Sequence, residues 1–221
     1  MSDTNRQSIS IEFLLAEFEA QQGQIIKLEE AKSNRINFFL VVVAAAIAST
    51  SGVINNTGIS LSASMVFAFV AFGILILGIA TLNELVHYSE AIVSLYRRAG
   101  RVRRWFVDFD VDITPYVAFD ATDESPKYDL ESPYLAFRGG DSVILLVNSI
   151  AFCVFVLSLI NLFYTVSMIL GLIIGIPSVL LAWLFQQNRL HARLQNVEKT
   201  SINNIHFPLK PTQNTKKSDK K

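Results

Sequence analysis

The sequence contains three histidines, one cysteine and several acidic patterns from which a reactive site could be built. Glu84 and His87 are three residues apart, the spacing with which helices of di-iron bundles present a carboxylate and an imidazole on one face. Such a centre needs a second pair of this kind and further glutamates at the same depth, which the sequence lacks. We therefore expect Glu84 and His87 to lie on a charged helix, close to Lys32 and Arg35.

A second acidic pattern, Asp-x-Asp-x-Asp, begins at Asp108. It resembles the start of a calcium-binding loop, but that loop requires glycine at its sixth position and glutamate at its twelfth. Ile113 and Phe119 occupy these positions, so we do not expect calcium to bind here. The alternation of apolar and acidic residues over Trp105–Thr114 instead predicts a short strand or extended edge.

The remaining sequence offers little chemistry. Cys153, the only cysteine, lies in an apolar run, so neither an intrachain disulfide nor a thiolate metal site is expected. We find no nucleophile–base arrangement and no glycine-rich phosphate loop. The net charge is zero, which gives no overall basic field for nucleic acid. The sequence therefore predicts no catalytic residue, no metal or cofactor site and no nucleic-acid partner.

The distribution of charge is more informative about the elements that carry these residues. Nineteen basic and nineteen acidic residues are present, yet none lies in 36–82 or 142–188. A charge at the centre of a bilayer costs about 2.5–3.5 kcal/mol on the mildest scale. A membrane explains why charge is absent from two segments of this length, and each is long enough for a pair of spanning helices.

We predict an all-α integral membrane protein with four transmembrane helices in two hairpins. Span one covers about 36–54 and span two about 63–82, while spans three and four share 142–186 with a turn near 163–167. Every Lys and Arg flanks the same ends of the spans, so the positive-inside rule places both termini and the segment between the hairpins in the cytoplasm. We expect the bacterial plasma membrane. The predicted organisation is an N-terminal amphipathic helix at 1–35, hairpin one at 36–82, a helix and acidic loop at 83–141, hairpin two at 142–187, and a helix with a disordered basic tail at 188–221.

A cytoplasmic helical stalk is predicted to extend spans one and two. The segment before span one carries a heptad seam made of Leu14, Phe18, Gln21, Ile25 and Leu28. If the outer turn is centred near residue 59, the two helices pair antiparallel as a coiled coil. This register sets Glu17 and Glu19 beside Arg101 and Arg98, Lys27 beside Glu90, and Lys32 and Arg35 beside Glu84. There are two alternatives to this stalk. The N-terminal segment could form an amphipathic helix on the membrane surface, or it could pair with another subunit.

Small and polar residues in the spans indicate helix contacts. The small residues are Ala44, Ala48 and Gly52 in span one, and Gly171 and Gly175, just before Pro177, in span four. Such residues let helix backbones approach closely in lipid, and contact within one chain is favoured over contact between subunits. The polar residues of span three are Asn148, Ser158, Asn161 and Thr165. They predict either a wet face that lines a pore or hydrogen bonds inside the bundle.

The functional prediction follows from this layout. No span contains Asp, Glu, Lys, Arg or His, which disfavours an intramembrane enzyme or a proton-coupled transporter. We predict a non-enzymatic homo-oligomer that forms a pore or perturbs the membrane, because an anchor has no need of a polar third span. The alternative is a membrane anchor or adaptor that recruits a soluble cytoplasmic partner. In that case the acidic loop at 106–141, packed on the stalk, is a candidate contact for a basic partner.

Overall fold

The computed structural model describes residues 3–57, 61–128, 140–164 and 167–208. Four long helices dominate these ranges: α1 (Asp3–Thr57), α2 (Leu61–Phe109), α3 (Gly140–Phe163) and α4 (Met168–Ser201). Short 3-10 helices cover Val111–Tyr116 and Ile202–Asn204, and the described ranges contain no strand. The expectations for Thr165, for the second half of the acidic loop and for the basic tail lie largely outside the described residues.

All four helices contain a segment long and apolar enough to cross a membrane. This confirms the prediction of an all-helical chain with four apolar spans. Their outward faces carry exposed large apolar side chains, such as Phe69 on α2 and Leu181 on α4. Lipid tails are as apolar as these side chains, so a bilayer solvates such faces without penalty.

Helix α2 occupies the centre of the structure, because it packs against both α1 and α3, and α3 in turn packs against α4. The buried core consists of Phe39 and Val43 from α1, Leu85 from α2 and Ile144 from α3. These residues lie where the charge-free segments end. We use the name charged end for residues 3–35, 83–128 and 189–208. Three helices are therefore held together at the border between the apolar spans and the charged end.

Helices α1 and α2 stay in contact along the charged end. The least exposed positions of α1 in this region include Leu14, Phe18, Gln21, Ile25 and Leu28. The Tyr96 hydroxyl donates to Glu29 Oε1 at 3.5 Å, and the Arg103 guanidinium lies 5.4 Å from the Phe18 ring centroid. The two helices thus run antiparallel for roughly 35 Å past the apolar spans, at 1.5 Å per residue.

The strand predicted at Trp105–Thr114 is wrong. Helix α2 continues to Phe109, and a 3-10 helix follows from Val111. Asp110 is the N-cap of that helix, because its side chain accepts a hydrogen bond from the backbone N–H of Asp112 at 3.0 Å. Phe109 and Val111 are exposed, so the alternation of apolar and acidic residues does not mark a buried face.

Candidate functional site

Ion pairs join the helices where the charged end meets the apolar spans. Arg35 Nε lies 2.6 Å from Glu84 Oε2, which links α1 to α2. Lys32, the other predicted neighbour of Glu84, contacts Asp141 Oδ2 and Ser89 Oγ instead, each at 3.0 Å. Lys32 therefore connects α1 to the first turn of α3 as well as to α2.

Glu90 has a different partner from the predicted Lys27. Its Oε1 atom accepts from Arg193 Nε at 3.2 Å, and its Oε2 atom lies 3.4 Å from Nδ1 of His87. Helix α4 continues past its apolar segment and brings Arg193 beside α2. The predicted pairing considered only α1 and α2 and therefore did not include this contact. Among the described residues, no group of three or more His, Cys, Asp or Glu side chains is placed to hold a metal ion.

Arg101 also differs from prediction, because its partner is Asp123 rather than Glu17. Arg101 Nε donates to Asp123 Oδ2 at 2.8 Å. The backbone N–H groups of His206 and Phe207 donate to the same carboxylate at 2.9 and 2.7 Å. Asp123 thereby ties the segment after α4 to the loop and to α2.

The four remaining residues of the predicted stalk pairs are exposed and form no ion pair within the described part of the chain: Glu17, Glu19, Lys27 and Arg98. Glu17 accepts a hydrogen bond from Gln21 Nε2 on its own helix at 3.0 Å. The register of α1 on α2 is therefore marked by Arg35 with Glu84 and by aromatic contacts, and not by a ladder of charges.

The Asp123 carboxyl is only 1% exposed. Burial raises the pKa of Asp123, but the hydrogen bonds from His206, Phe207 and Arg101 outweigh burial and hold this pKa below its ordinary value of 3.8. The loop reaches this position because Gly100 has no side chain, and a Cβ there would collide with the Thr122 carbonyl oxygen. The carboxylate, here called the Asp123 clamp, is thus charged at neutral pH and enclosed.

Arg97 forms a second joint next to the Asp123 clamp. It is 6% exposed, and its three nitrogen atoms donate to the Pro126 carbonyl at 3.0 Å, to Ser201 Oγ at 2.8 Å and to Glu198 Oε2 at 2.7 Å. Its guanidinium lies 4.6 Å from the Tyr128 ring centroid. This arginine joins α2, the loop and α4, which makes it a structural residue and not a receptor for an external anion.

The polar residues of α3 make contacts inside the bundle. Asn148 is fully buried, its Nδ2 donates to Gln186 Oε1 at 3.3 Å, and its Oδ1 lies against Gly78 without a hydrogen-bond partner among the described residues. Asn161 Nδ2 donates to Ser64 Oγ at 2.8 Å. Ser158 is buried as well. Asn148 and Asn161 thus connect helices of one chain, and Thr165 lies outside the described residues.

The small residues of α4 and those of α1 differ in their exposure. Gly175 is buried where α4 crosses α3, and a Cβ on it would lie 3.2 Å from Cys153 Sγ. Gly171 is half-buried, and α4 continues as a helix through Pro177. The small residues of α1 are exposed: Ala44, Ala48 and Gly52.

Several exposed apolar side chains lie in the part of the charged end that is farthest from the apolar spans. We call this surface the distal tip; it consists of Ile9, Phe13, Trp105, Phe109, Val111, Tyr116 and Phe119. The Trp105 and Phe109 rings stack with centroids 5.4 Å apart, and Trp105 borders a hollow of about 460 Å³ with Ile9 and Phe13. Tyr116 is 86% exposed and Val111 72%. Along the helices, the tip lies roughly 35 Å from the apolar spans.

The chain around the distal tip is acidic. From Arg104 to Lys127 no basic residue intervenes, and the acids are Asp108, Asp110, Asp112, Asp120, Asp123 and Glu124. Asp108 is paired with Arg104 at 3.0 Å, and Asp123 is buried in its clamp. The other aspartates are exposed, and one basic group also reaches the tip, because the Arg103 guanidinium lies 4.9 Å from the Phe119 ring centroid.

Sequence reasoning missed several of the residues that organise these sites. Arg97, Asp123 and Glu198 carried no signal of their own, because their contacts join segments far apart in the chain. Gln186 could have been singled out, since it is an amide at the border of an apolar span. Its partner Asn148 is one of several polar residues in span three, and the sequence does not distinguish it from the others.

Comparisons with known proteins give no relative from which a function could be transferred. No family model matches the chain, no curated protein matches its sequence and no solved structure matches its fold.

Proposed function

We propose that this protein is a non-enzymatic membrane anchor that presents its distal tip to a soluble cytoplasmic partner. The observation that carries the proposal is the exposure of Trp105, Phe109, Val111 and Tyr116 on a surface about 35 Å from the membrane-spanning segments. Clustered apolar side chains exposed to water are typical of protein interaction sites. Lipid cannot cover them at that distance.

The arrangement suits such a role. We propose that the four spans form two hairpins and that the charged end lies in the cytoplasm, as the positions of Lys and Arg in the sequence favour. The paired extensions of α1 and α2 then form a stalk. The Asp123 clamp and the Arg97 joint attach the loop and α4 to this stalk. A tip supported in this way is held in a defined orientation.

The chemistry of the tip indicates the kind of partner. Exposed aromatic rings require apolar side chains opposite them, and the exposed aspartates Asp110, Asp112 and Asp120 require positive charge. A basic amphipathic helix supplies both, because its apolar stripe and its lysines lie on adjacent faces. We therefore propose a partner that contributes such a helix.

The contacts within the bundle favour an anchor over a pore. A pore lined by α3 needs polar side chains that face away from the chain's own core. Asn148 is fully buried and bonded to Gln186, and Asn161 is bonded to Ser64. The polar third span is therefore explained by hydrogen bonds between helices of one chain, which an anchor also needs for its stability.

Trp105 provides a direct test. In a Trp183→Phe background the only remaining tryptophan lies in the distal tip. The protein is placed in phosphatidylcholine nanodiscs and titrated with a helical Lys/Leu amphipathic peptide, with empty nanodiscs as blank. We expect a saturable blue shift of the emission that weakens with added salt, since the exposed charges are screened. A peptide with Glu in place of Lys should give no shift.

Matched variants locate the binding. Val111→Asp should abolish the shift, whereas Ile26→Asp, at a comparably exposed apolar position of α1 outside the tip, should leave it unchanged. Equal binding of the Lys and Glu peptides, or equal losses in both variants, would contradict the proposal.

An oligomeric pore is the second candidate. It is favoured by the exposure of Ala44, Ala48 and Gly52, which have room for a helix of another subunit. The test is native mass in detergent combined with ion flux from liposomes. An oligomeric ring that conducts ions, and whose ion flux is lost in Ala48→Leu, would support the pore. A monomer without ion flux would exclude the pore and favour the anchor.

A further inference from the structure

A groove of about 610 Å³ opens between α2 and α4, with α3 as its floor. Most of its wall is apolar and comes from all three helices: Leu75, Ile79, Val86, Leu145, Phe152 and Leu181. The volume lies within the ~300–1,000 Å³ typical of small-molecule sites. The groove exists because α4 packs against α3 and makes few contacts with α2.

One end of the groove is polar and basic. Asn83, Gln186, Arg189 and Arg193 line that end. Arg189 is the first charged residue after the fourth apolar span, its side chain is exposed, and it forms no ion pair within the described ranges. Arg193 donates to Glu90 with Nε at 3.2 Å, and its Nη2 atom lies 3.2 and 3.1 Å from the two ring nitrogens of His87, so among the described residues only its Nη1 atom has no such contact. The groove therefore joins an apolar channel to two guanidinium groups.

The position of the groove relative to the bilayer follows from the direction of the helices. From Arg193 to Leu181 the wall extends roughly 18 Å along α4, at 1.5 Å per residue. Arg189 and Arg193 lie where charge reappears in the sequence, at headgroup depth, and Leu181 and Phe152 lie within the apolar segments. The hydrocarbon core is about 30 Å thick, so the groove follows one leaflet.

We infer that this groove binds one anionic glycerophospholipid from the leaflet on the charged side, with its phosphate at Arg189 and Arg193 and one acyl chain between α2 and α4. Guanidinium groups bind phosphate oxygens in a bidentate manner. The acyl chain gains little on leaving the surrounding lipid, because lipid tails are as apolar as leucine. Selectivity must therefore come from the headgroup, and a net negative charge complements Arg189, because the charge of Arg193 is already paired with Glu90.

The basic end also distinguishes lipid from the other occupant that fits an apolar groove, a transmembrane helix of a second copy. The spans of this chain carry no charge, so none of them could pair with Arg189. An anionic lipid fills the apolar channel and pairs with the arginine at once. The inference requires insertion in a membrane and does not depend on what the distal tip binds.

The test is lipid retention measured by native mass spectrometry. The protein is exchanged from nanodiscs of equimolar phosphatidylglycerol and phosphatidylcholine into detergent. We expect one bound lipid per chain, with phosphatidylglycerol preferred. Arg189→Gln should lower that preference about fivefold, the value expected for one basic residue at a lipid surface. Lys199→Gln removes the same charge from an exposed site of α4 outside the groove and should not change it.

A second variant separates the channel from the charge. Ala182 is buried in the wall of the groove, and Ala182→Phe should reduce retention of both lipids while Arg189 remains. Retention without headgroup preference, an equal effect of Lys199→Gln, or a dimer that carries no lipid would each overturn the inference. The dimer would assign the groove to a second copy of the chain.

Discussion

Two glycines of α2, Gly78 among the apolar spans and Gly100 in the charged end, serve the same purpose against different neighbours. A Cβ at Gly78 would collide with the side-chain amide of Asn148, and a Cβ at Gly100 would collide with the backbone carbonyl of Thr122. Both positions are buried. The absence of a side chain thus lets a polar group approach α2 closely in each half of the molecule.

The two glycines differ in whether the neighbouring group can move. A side chain such as Asn148 can change rotamer, whereas a backbone carbonyl moves only with its whole segment. The apolar half relies on close packing and a few amide hydrogen bonds, as lipid requires. The charged end relies on enclosed carboxylate–guanidinium contacts, which are strong but leave unpaired groups when one partner is removed. We therefore expect single substitutions to disturb the charged end more.

The largest effect is expected from Asp123→Ala. This change leaves Arg101 Nε and the N–H groups of His206 and Phe207 without their acceptor, while Arg101 Nη2 keeps its bond to the Asn204 carbonyl. Hydrogen bonds to a charged group contribute about 1.5–3 kcal/mol each. Hydrogen–deuterium exchange should show that protection of residues 202–208 falls about 100-fold. Asp120→Asn, at an exposed position nearby, is the control. Unchanged protection in Asp123→Ala would mean that the clamp does not hold this segment.

Acid should open the same clamp less completely. Because the folded-state pKa of Asp123 lies below its ordinary value of 3.8, its carboxylate stabilises the folded chain at pH values above that range. This contribution is lost as pH falls through the folded-state pKa. After correction for intrinsic exchange rates, protection of residues 202–208 should fall below about pH 4 in the wild type and should not change with pH in Asp123→Asn. A parallel loss in both proteins would assign the effect to another group.

Gly100→Ala should produce the next largest effect. Overpacking of a well-packed site costs about 1–3 kcal/mol, and here the obstacle is the Thr122 carbonyl. Exchange should increase across residues 117–128 without change in α1. The matched control is Gly23→Ala in the same charged end, since a Cβ at Gly23 meets no atom within 4 Å. Equal exchange in the two variants would show that the loop does not depend on close approach at Gly100.

The contrast also explains which features could be predicted from sequence. The four apolar helices were predictable, because lipid excludes charge and the absence of charge from 36–82 and 142–188 is visible in the sequence itself. The seam residues of α1, such as Ile25, follow from a local period of seven. Such features depend on one segment and its solvent.

Contacts between distant segments were not predictable in this way. The partners of Arg101 and Glu90 come from the loop and from α4, and the pairing of α1 with α2 left both elements out. Asn148 and Gly78 meet across two helices, so neither residue indicates the other. At Trp105–Thr114 a local period of two suggested a strand although no neighbouring strand was present to pair with it.

The smallest effect is expected from Gly78→Ala, and it should be reversible by a second change. The Cβ would displace the Asn148 side chain, whose Oδ1 has no hydrogen-bond partner among the described residues and whose Nδ2 has only the 3.3 Å bond to Gln186 to lose. We expect a loss of about 1 kcal/mol, equivalent to roughly 2–4 °C in the thermal midpoint in detergent. Asn148→Ser shortens the obstructing side chain, so the double variant should be more stable than the sum of the single effects by about 0.5 kcal/mol or more.

Thr122→Ser should give no such rescue to Gly100→Ala, because that collision is with the backbone. Gly73→Ala, where no atom lies within 4 Å of the added Cβ, should be neutral. Strict additivity of Gly78→Ala and Asn148→Ser, or rescue of Gly100→Ala by Thr122→Ser, would remove the distinction between side-chain and backbone neighbours on which the comparison of the two halves rests.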